Sequence, residues 1–386
     1  MEEEKKESVS SSSVFELPVV DFSSFLASPS ELEDLMKSNH TASEAQLATA
    51  KAIDKSNKEH GFVCLRNSGV PRNATRATFE ASRSLFVGME ESSKAKLKKL
   101  DTKTNTGYAS FGSEALNRRR LPDSKEAFNI RGNSAEWGDF LGTPPGFQEA
   151  GEAFWDEMTL LALRYSVCCA VALGLDYDYF SKTFAKMDLC TLRLLHYPPC
   201  IDETNETGEE NPTSAIRVGE HTDFGSFTFL SIDNIQDESS LGLQVKAVAG
   251  GDLGKGSIID RDEEAFMEGW NDIVFNEALL QDIAKDETSA LIVNTGALMA
   301  RWTNDVWNAT AHRVIVSPKA MNFHRYSIAM FCDPDRETMV SVHPNFVSSS
   351  DDGGAGEAKY PPIKSIDYLL MKLREAQGVD EEEKDN

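Results

Sequence analysis

The sequence predicts a mixed α and β fold, with a sandwich or jelly roll of short strands in the second half of the chain and helices in the first. Three observations predict it. From residue 190 onward short β-rich runs alternate with turn residues, at 190–197, 226–231, 241–247, 290–294, 312–316 and 325–331. Earlier stretches carry helical spacing instead, most clearly the apolar positions 154, 158, 161, 165, 168 and 172. An apolar fraction of 40%, with 21 Phe among 386 residues, is enough for one sizeable core. Global disorder is therefore excluded, and one large domain is expected.

Taken in order, residues 1–13 form an acidic, Ser-rich tail, and 14–22 read as a strand entering the fold. Residues 30–60 are rich in helix formers with no Pro or Gly, and Gly61 ends that helix. A β-type run at 62–65 stops at Asn67, Ser68 and Gly69, and 72–100 return to helix. Residues 101–150 carry Gly, Pro and Asn and read as loop with one or two strands. The helix beginning near 154 contains Asp156, Glu157 and Arg164, so it buttresses a sheet and does not span a membrane. The expected organisation is thus 14–180 as a helical and loop region, 181–345 as the strand-rich core, and 346–378 as a closing loop and helix. The helix places Ile363, Ile366, Leu369, Leu370 and Leu373 on one stripe, and 379–386 form a second acidic tail.

A formal net charge of -24 repels nucleic acid and anionic membranes at long range, so small molecules are the natural substrates. The six cysteines include no Cys-x-x-Cys pair and most lie in apolar runs, reading as reduced core residues. No apolar segment follows the acidic amino terminus, and no uncharged run is long enough to cross a bilayer. A cytoplasmic monomer is expected.

The chemistry concentrates at 217–230, where His221 and Asp223 stand two residues apart. On a strand such a pair faces one side and can converge on a metal. His312, in another apolar run, supplies a third donor. Two imidazoles and one carboxylate with open positions form the ligand set of non-haem Fe(II) oxygenases. Arg325 and Ser327 then follow, again two apart in an apolar run, an arginine fork with a hydroxyl beside it that suits a buried carboxylate. A lone His-x-Asp arises often by chance. The ordered companions raise its value.

Those companions are His-Thr-Asp-Phe-Gly at 221–225, Leu-Gly-Leu-Gln-Val at 241–245, Val-Asn-Thr-Gly at 293–296, Arg-Trp-Thr-Asn at 301–304, Ala-His-Arg-Val at 311–314 and Arg-Tyr-Ser at 325–327. Together they resemble the plant-type 2-oxoglutarate and Fe(II)-dependent dioxygenases of the isopenicillin N synthase-like superfamily. Weaker likenesses lie at 17–22, 61–71, 125–130 and 360–363, so the resemblance covers nearly the whole chain. It implies a double-stranded β-helix, or jelly roll, with helices packed outside. It also implies Fe(II) on His221, Asp223 and His312, with 2-oxoglutarate bound through Arg325, Ser327 and Tyr197. Dioxygen is the second cosubstrate and ascorbate a helper. The implied activity is oxidation of a metabolite, in specialised metabolism, with release of succinate and carbon dioxide. Hydroxylation is the default, and desaturation or ring closure are its variants. A 2-oxoglutarate-independent oxidase similar to isopenicillin N synthase and a non-catalytic receptor remain alternatives.

Three features depart from the family pattern. Leu195 and His196 replace the usual Asn-Tyr, so His196 is a candidate cavity residue. Residues 201–214 form a polar acidic loop, and an excess of chain at 249–287, with an amphipathic helix near 276–285, reads as a lid or outer flap. Beyond these departures, 118–131 hold Arg118, Arg119, Arg120, Lys125 and Arg131 against Asp123 and Glu126, a positive patch in an acidic chain. The resemblance places this segment beside the cavity mouth, so a carboxylated substrate is expected. Tyr108, Arg119, Arg131 and His196 are the candidate substrate contacts.

Overall fold

The computed structural model describes residues 13–36, 41–97, 105–114, 122–132, 142–199, 216–233, 242–246, 269–275, 277–316, 321–347 and 357–377. In chain order the strands and α-helices begin with β1 (Ser13–Glu16), β2 (Val19–Asp21), α1 (Pro29–Leu35), α2 (Glu44–Glu59), β3 (Phe62–Arg66), α3 (Arg72–Phe86) and α4 (Glu91–Lys94). Next come β4 (Gly107–Ala109), β5 (Glu126–Arg131), α5 (Phe147–Ala172), β6 (Thr191–Tyr197), β7 (Ile216–His221), β8 (Phe227–Ile232) and β9 (Leu243–Lys246). They continue with β10 (Trp270–Val274), α6 (Glu277–Ile283), β11 (Leu291–Thr295), α7 (Ala297–Trp302), β12 (His312–Ile315) and β13 (Arg325–Cys332). The chain closes on β14 (Met339–Val340), β15 (Ile363–Lys364) and α8 (Ser365–Gln377).

Two sheets face each other as a jelly roll. The smaller runs β1-β10-β9-β12-β7 and the larger β2-β3-β11-β8-β13-β6-β5-β4. Side chains alternate across each strand, and this alternation divides the core in two. On β6, Leu192 and Leu194 join a cluster with Phe154, Met158, Leu161 and Tyr165 of α5, outside the larger sheet. Leu195 and Tyr197 join a second cluster with Val218, Val245, Val314 and Ala329, between the two sheets. The long helix is therefore the buttress its spacing predicts, and the interior of the roll is where chemistry can sit.

Several expected elements divide where local chemistry requires it. The strand expected at 14–22 is two strands, because Leu17 and Pro18 carry the chain from one sheet to the other. β1 pairs with β10 and β2 with β3, and a proline cannot donate to a ladder. The helix expected at 30–60 is α1 and α2, each started by its own capping box, Ser28 with Glu31 and Ser43 with Gln46. The helix expected at 72–100 stops at Phe86, with α4 a separate turn. The segment expected to be a flap contains β10, which pairs with β9 and β1 inside the smaller sheet. Leu279, Leu280 and Ile283 of α6 pack into the cluster between the sheets. Residues 269–275 and 277–287 thus belong to the core, and removing 249–287 would delete a strand; 249–268 lie outside the described residues. Cys64, Cys168, Cys169, Cys190 and Cys332 are buried free thiols. No helix of the described residues is long and apolar enough to cross a membrane.

Candidate metal centre

β7 ends at His221, and Asp223 lies past the end of that strand. Their convergence therefore comes from a bulge and a turn and not from alternation along one strand. In the β7/β12 ladder Val218 pairs with Val314 and His221 with His312, so three steps on β7 match two on β12. An extra residue of this kind bends its strand and re-aims a side chain. The bulge sets the two imidazoles side by side, with ring centroids 4.3 Å apart.

Each histidine is oriented from behind. His221 Nδ1 donates to Gly219 O at 2.8 Å and His312 Nδ1 to Thr310 O at 3.2 Å. Both Nε2 atoms are left facing Asp223 Oδ1, each 3.7 Å away. The other carboxylate oxygen is occupied, because Asp223 Oδ2 accepts from Thr228 Oγ1 at 2.6 Å and from Asn294 Nδ2 at 2.7 Å. Two nitrogens and one oxygen are thereby aimed at one point, all within 4.8 Å of one another. Hydrogen bonds behind a ligand set fix tautomer and direction, as a metal centre requires. Sequence reasoning misses Thr228 and Asn294 as site residues. Asn294 belongs to the quoted Val-Asn-Thr-Gly motif, which is its available signal.

The electrostatics suit a cation. Burial, and then the neighbouring His312, push His221 down to about 4, so its imidazole is neutral at neutral pH. Its side chain keeps 17% exposure, but the protein around it is dense. Burial alone would raise Asp223. His312 and His221 beside it, with the Asn294 and Thr228 hydrogen bonds, outweigh burial and hold the carboxyl below its usual range. A neutral His221 imidazole and an ionised Asp223 carboxylate, with the His312 ring beside them, fit Fe(II).

The metal-free protein has a consequent pH dependence. An unfolded histidine titrates near about 6.5, so between that pH and about 4 the unfolded chain takes up a proton that buried His221 refuses. Stability therefore falls as pH falls through this window. Asp223, whose carboxyl is lowered, keeps its contribution until the pH falls below its ordinary value of 3.8 and is silent in this window. The urea midpoint of metal-free protein should drop between pH 7 and 5, and less so in His221→Gln; equal slopes for the two proteins would refute this origin.

Arg325 and Ser327 project into the space between the sheets, on the same face of β13 as Ala329. Arg325 is 5% exposed, faces Tyr197 across the β13/β6 ladder, and holds its guanidinium carbon 4.8 Å from the Tyr197 ring centroid. Burial lowers its pKa. Arg217, buried to 1% exposure, approaches the same ring from 5.7 Å. It lies within the stretch read for the metal motif, yet sequence reasoning gives it no role. Positive charge gathered around one tyrosine fits the distal carboxylate of a 2-oxo acid.

The other candidates part company. His196 and Tyr108 do not line the interior. His196 stacks against Phe86 and Tyr326 on the helix side of the larger sheet, and its Nδ1 donates to Glu126 Oε1 at 2.7 Å. Tyr108 lies in the helix-side cluster and donates to Glu126 Oε2. Period-two alternation excludes both, since their neighbours Tyr197 and Ala109 face inward. Lys125 pairs with Asp123. Arg131 does reach the inner face, donating from Nε to Thr191 Oγ1 at 2.9 Å with Asp333 nearby. Arg118, Arg119 and Arg120 lie outside the described residues.

Comparisons with known proteins agree with this centre. Residues 17–142 match the non-haem dioxygenase in morphine synthesis N-terminal family. A 2-oxoglutarate-Fe(II) type oxidoreductase of Metarhizium rileyi is 28% identical over 352 residues, spanning 83% of this chain and 84% of its own. A proline hydroxylase of Petromyces alliaceus is 26% identical over 313 residues, spanning 78% and 84%. Among solved structures, a full-length Neurospora crassa protein in complex with alpha-KG and thymine superposes with a TM-score of 0.67 at 28% identity, covering 94% of this chain and 97% of that one. With the jelly roll, the His-Asp-His donor set and these relatives agreeing, the chain is similar over most of its length to the Fe(II)- and 2-oxoglutarate-dependent dioxygenases.

Proposed function

We propose that this dioxygenase hydroxylates a small metabolite, with His221, Asp223 and His312 holding Fe(II) and Arg325, Ser327 and Tyr197 holding 2-oxoglutarate. The observation that carries the reading is the division of labour at Asp223: Oδ2 is occupied by Thr228 and Asn294, while Oδ1 faces both His Nε2 atoms. When bound, ferrous iron with the 2-oxo acid supplies oxidative decarboxylation to succinate and carbon dioxide, coupled to attack on a substrate C–H bond. The chain's own residues position and shield. Arg325 anchors a carboxylate by a charge-assisted fork, Ser327 donates beside it, and the packed faces of both sheets exclude water from the reacting region.

Relatives named for proline and crystallised with thymine act on, or bind, compact polar molecules, which supports a substrate of that size. A carboxylated substrate, expected from the basic segment, has less support: Lys125 is paired with Asp123, and Arg131 has Asp333 beside it. The test is to incubate iron-loaded protein with 2-oxoglutarate and a metabolite extract, following succinate and any compound that gains 16 or loses 2 mass units. No substrate-dependent succinate would end the proposal. Arg325→Lys keeps the charge and loses the fork. It should raise the 2-oxoglutarate KM by roughly 10- to 100-fold, for about 1–3 kcal/mol, with little change in the substrate KM. An unchanged 2-oxoglutarate KM would favour an oxidase that uses no 2-oxo acid.

A further inference from the structure

Asn129 and Arg193 are direct partners across the β5/β6 ladder. Both face the interior, because Phe128 and Ile130 beside Asn129, and Leu192 and Leu194 beside Arg193, belong to the helix-side cluster. Arg193 stands opposite Ala329 of β13. Adjacent along the strands is the row Thr191, Phe331, Thr228 and Asn294, whose last two members hold Asp223. In the other direction lie Leu195 and Ser327. The pair therefore sits beside the line from Asp223 to Arg325, with Arg193 two strand spacings, about 10 Å, from β8 and Asn129 three, about 14 Å. A substrate could lie there next to a bound 2-oxo acid.

Each side chain is half engaged. Arg193 gives Nη2 to the Glu114 carboxylate, yet its buried Nε has no hydrogen-bond partner among the described residues. Asn129, 1% exposed, gives Nδ2 to Asn105 Oδ1 at 3.2 Å, and its buried Oδ1 likewise has none. Buried polar atoms are nearly always paired, and an unpaired one is costly. One donor and one acceptor left side by side on the inner face of the larger sheet specify their complement.

We infer that Asn129 and Arg193 read a neutral secondary amide, lactam or ureide of the substrate, with Arg193 Nε donating to its carbonyl and Asn129 Oδ1 accepting from its N–H. A carboxylate fits less well. It offers acceptors alone, which Asn129 Oδ1 cannot satisfy, and the Arg193 charge is already met by Glu114. This assignment rests on the proposed function, since it places a substrate group between the sheets beside the iron and 2-oxoglutarate sites.

The test uses Zn(II)-loaded full-length protein with 2-oxoglutarate, which binds without turnover, and ligand-observed saturation-transfer NMR. The probes are 2-piperidone, N-methyl-2-piperidone and cyclohexanecarboxylate. The lactam should bind at least about tenfold more tightly than either comparison compound, the span of one hydrogen bond. Asn129→Leu should erase that preference with little change in Tm, because loss of the Nδ2 bond to part-buried Asn105 is offset by removal of an unsatisfied buried acceptor; a merely structural asparagine would lower it. Arg193→Lys, which can keep the pair with Glu114 but lacks the Nε donor, should erase it too. Equal binding of the N-methyl lactam, a preference that survives both variants, or 2-oxoglutarate binding without lactam binding would overturn the assignment alone. If 2-oxoglutarate itself fails to bind, the oxygenase proposal fails and this one with it.

Discussion

Asp223→Ala should abolish both ferrous binding and substrate-dependent succinate formation while the metal-free protein still folds. The carboxylate gives one oxygen to the metal position and uses the other to hold Thr228 and Asn294. Losing it removes the anionic donor of the group and leaves the two imidazoles alone to hold a dication. The fold is spared because two effects oppose each other. Thr228 and Asn294 lose a buried acceptor, costing about 1–3 kcal/mol, but an ionised carboxylate no longer has to be kept out of water. Iron retained after dialysis, succinate yield and the thermal transition give three readouts. Iron and succinate should fall to background while the transition moves little. Full turnover without added formate or halide would remove Asp223 from the metal.

The ligand identities are legible in sequence because they are chemical statements: two histidines, one aspartate, then an arginine with a serine two residues on. Their geometry is not. His-x-Asp reads as two positions on a strand, whereas β7 ends at His221 and a bulge against β12 aims the imidazole. A bulge is set by how two distant strands register, which no local pattern encodes. Short-period reading works where a strand is regular: Arg325, Ser327 and Tyr197 face inward as alternation predicts. The same rule, applied to His196 beside Tyr197, places it outside, but a departure from the family pattern draws attention to the residue type over its parity. β10 is hidden for another reason. Trp270–Val274 is a short run after a long acidic stretch, and only its pairing with β9 and β1 makes it a core strand. Arg217 shows the remaining limit: nothing in its local run marks it, and only packing, which leaves it 1% exposed, brings its charge beside Tyr197.

The motifs on either side of the centre interlock, and Gly296→Ala should expose that dependence. The N–H groups that open α7 have no partner within the helix, and here they grip the metal loop. Gly296 N donates to Ser226 O at 2.9 Å, Ala297 N to Asp223 O at 2.8 Å, and Leu298 N to Phe224 O and Gly225 O at 3.1 Å. This grip brings two backbones so close that a Cβ on Gly296 would stand 2.1 Å from Gly225 O and 3.3 Å from Asp223 O. The φ of Gly296 is -91°, so the constraint is space and not backbone conformation. A flexible side chain could yield to a methyl group, but a carbonyl held by three further hydrogen-bonded neighbours moves only if the loop moves. Gly296→Ala should therefore displace residues 223–226 as a unit, costing about 1–3 kcal/mol or more and carrying Asp223 off the line to His221 and His312. Both Tm and iron retention should fall together, in contrast to Asp223→Ala, which loses iron alone. A Gly296→Ala protein with unaltered Tm and full iron occupancy would show that the loop and α7 do not approach this closely.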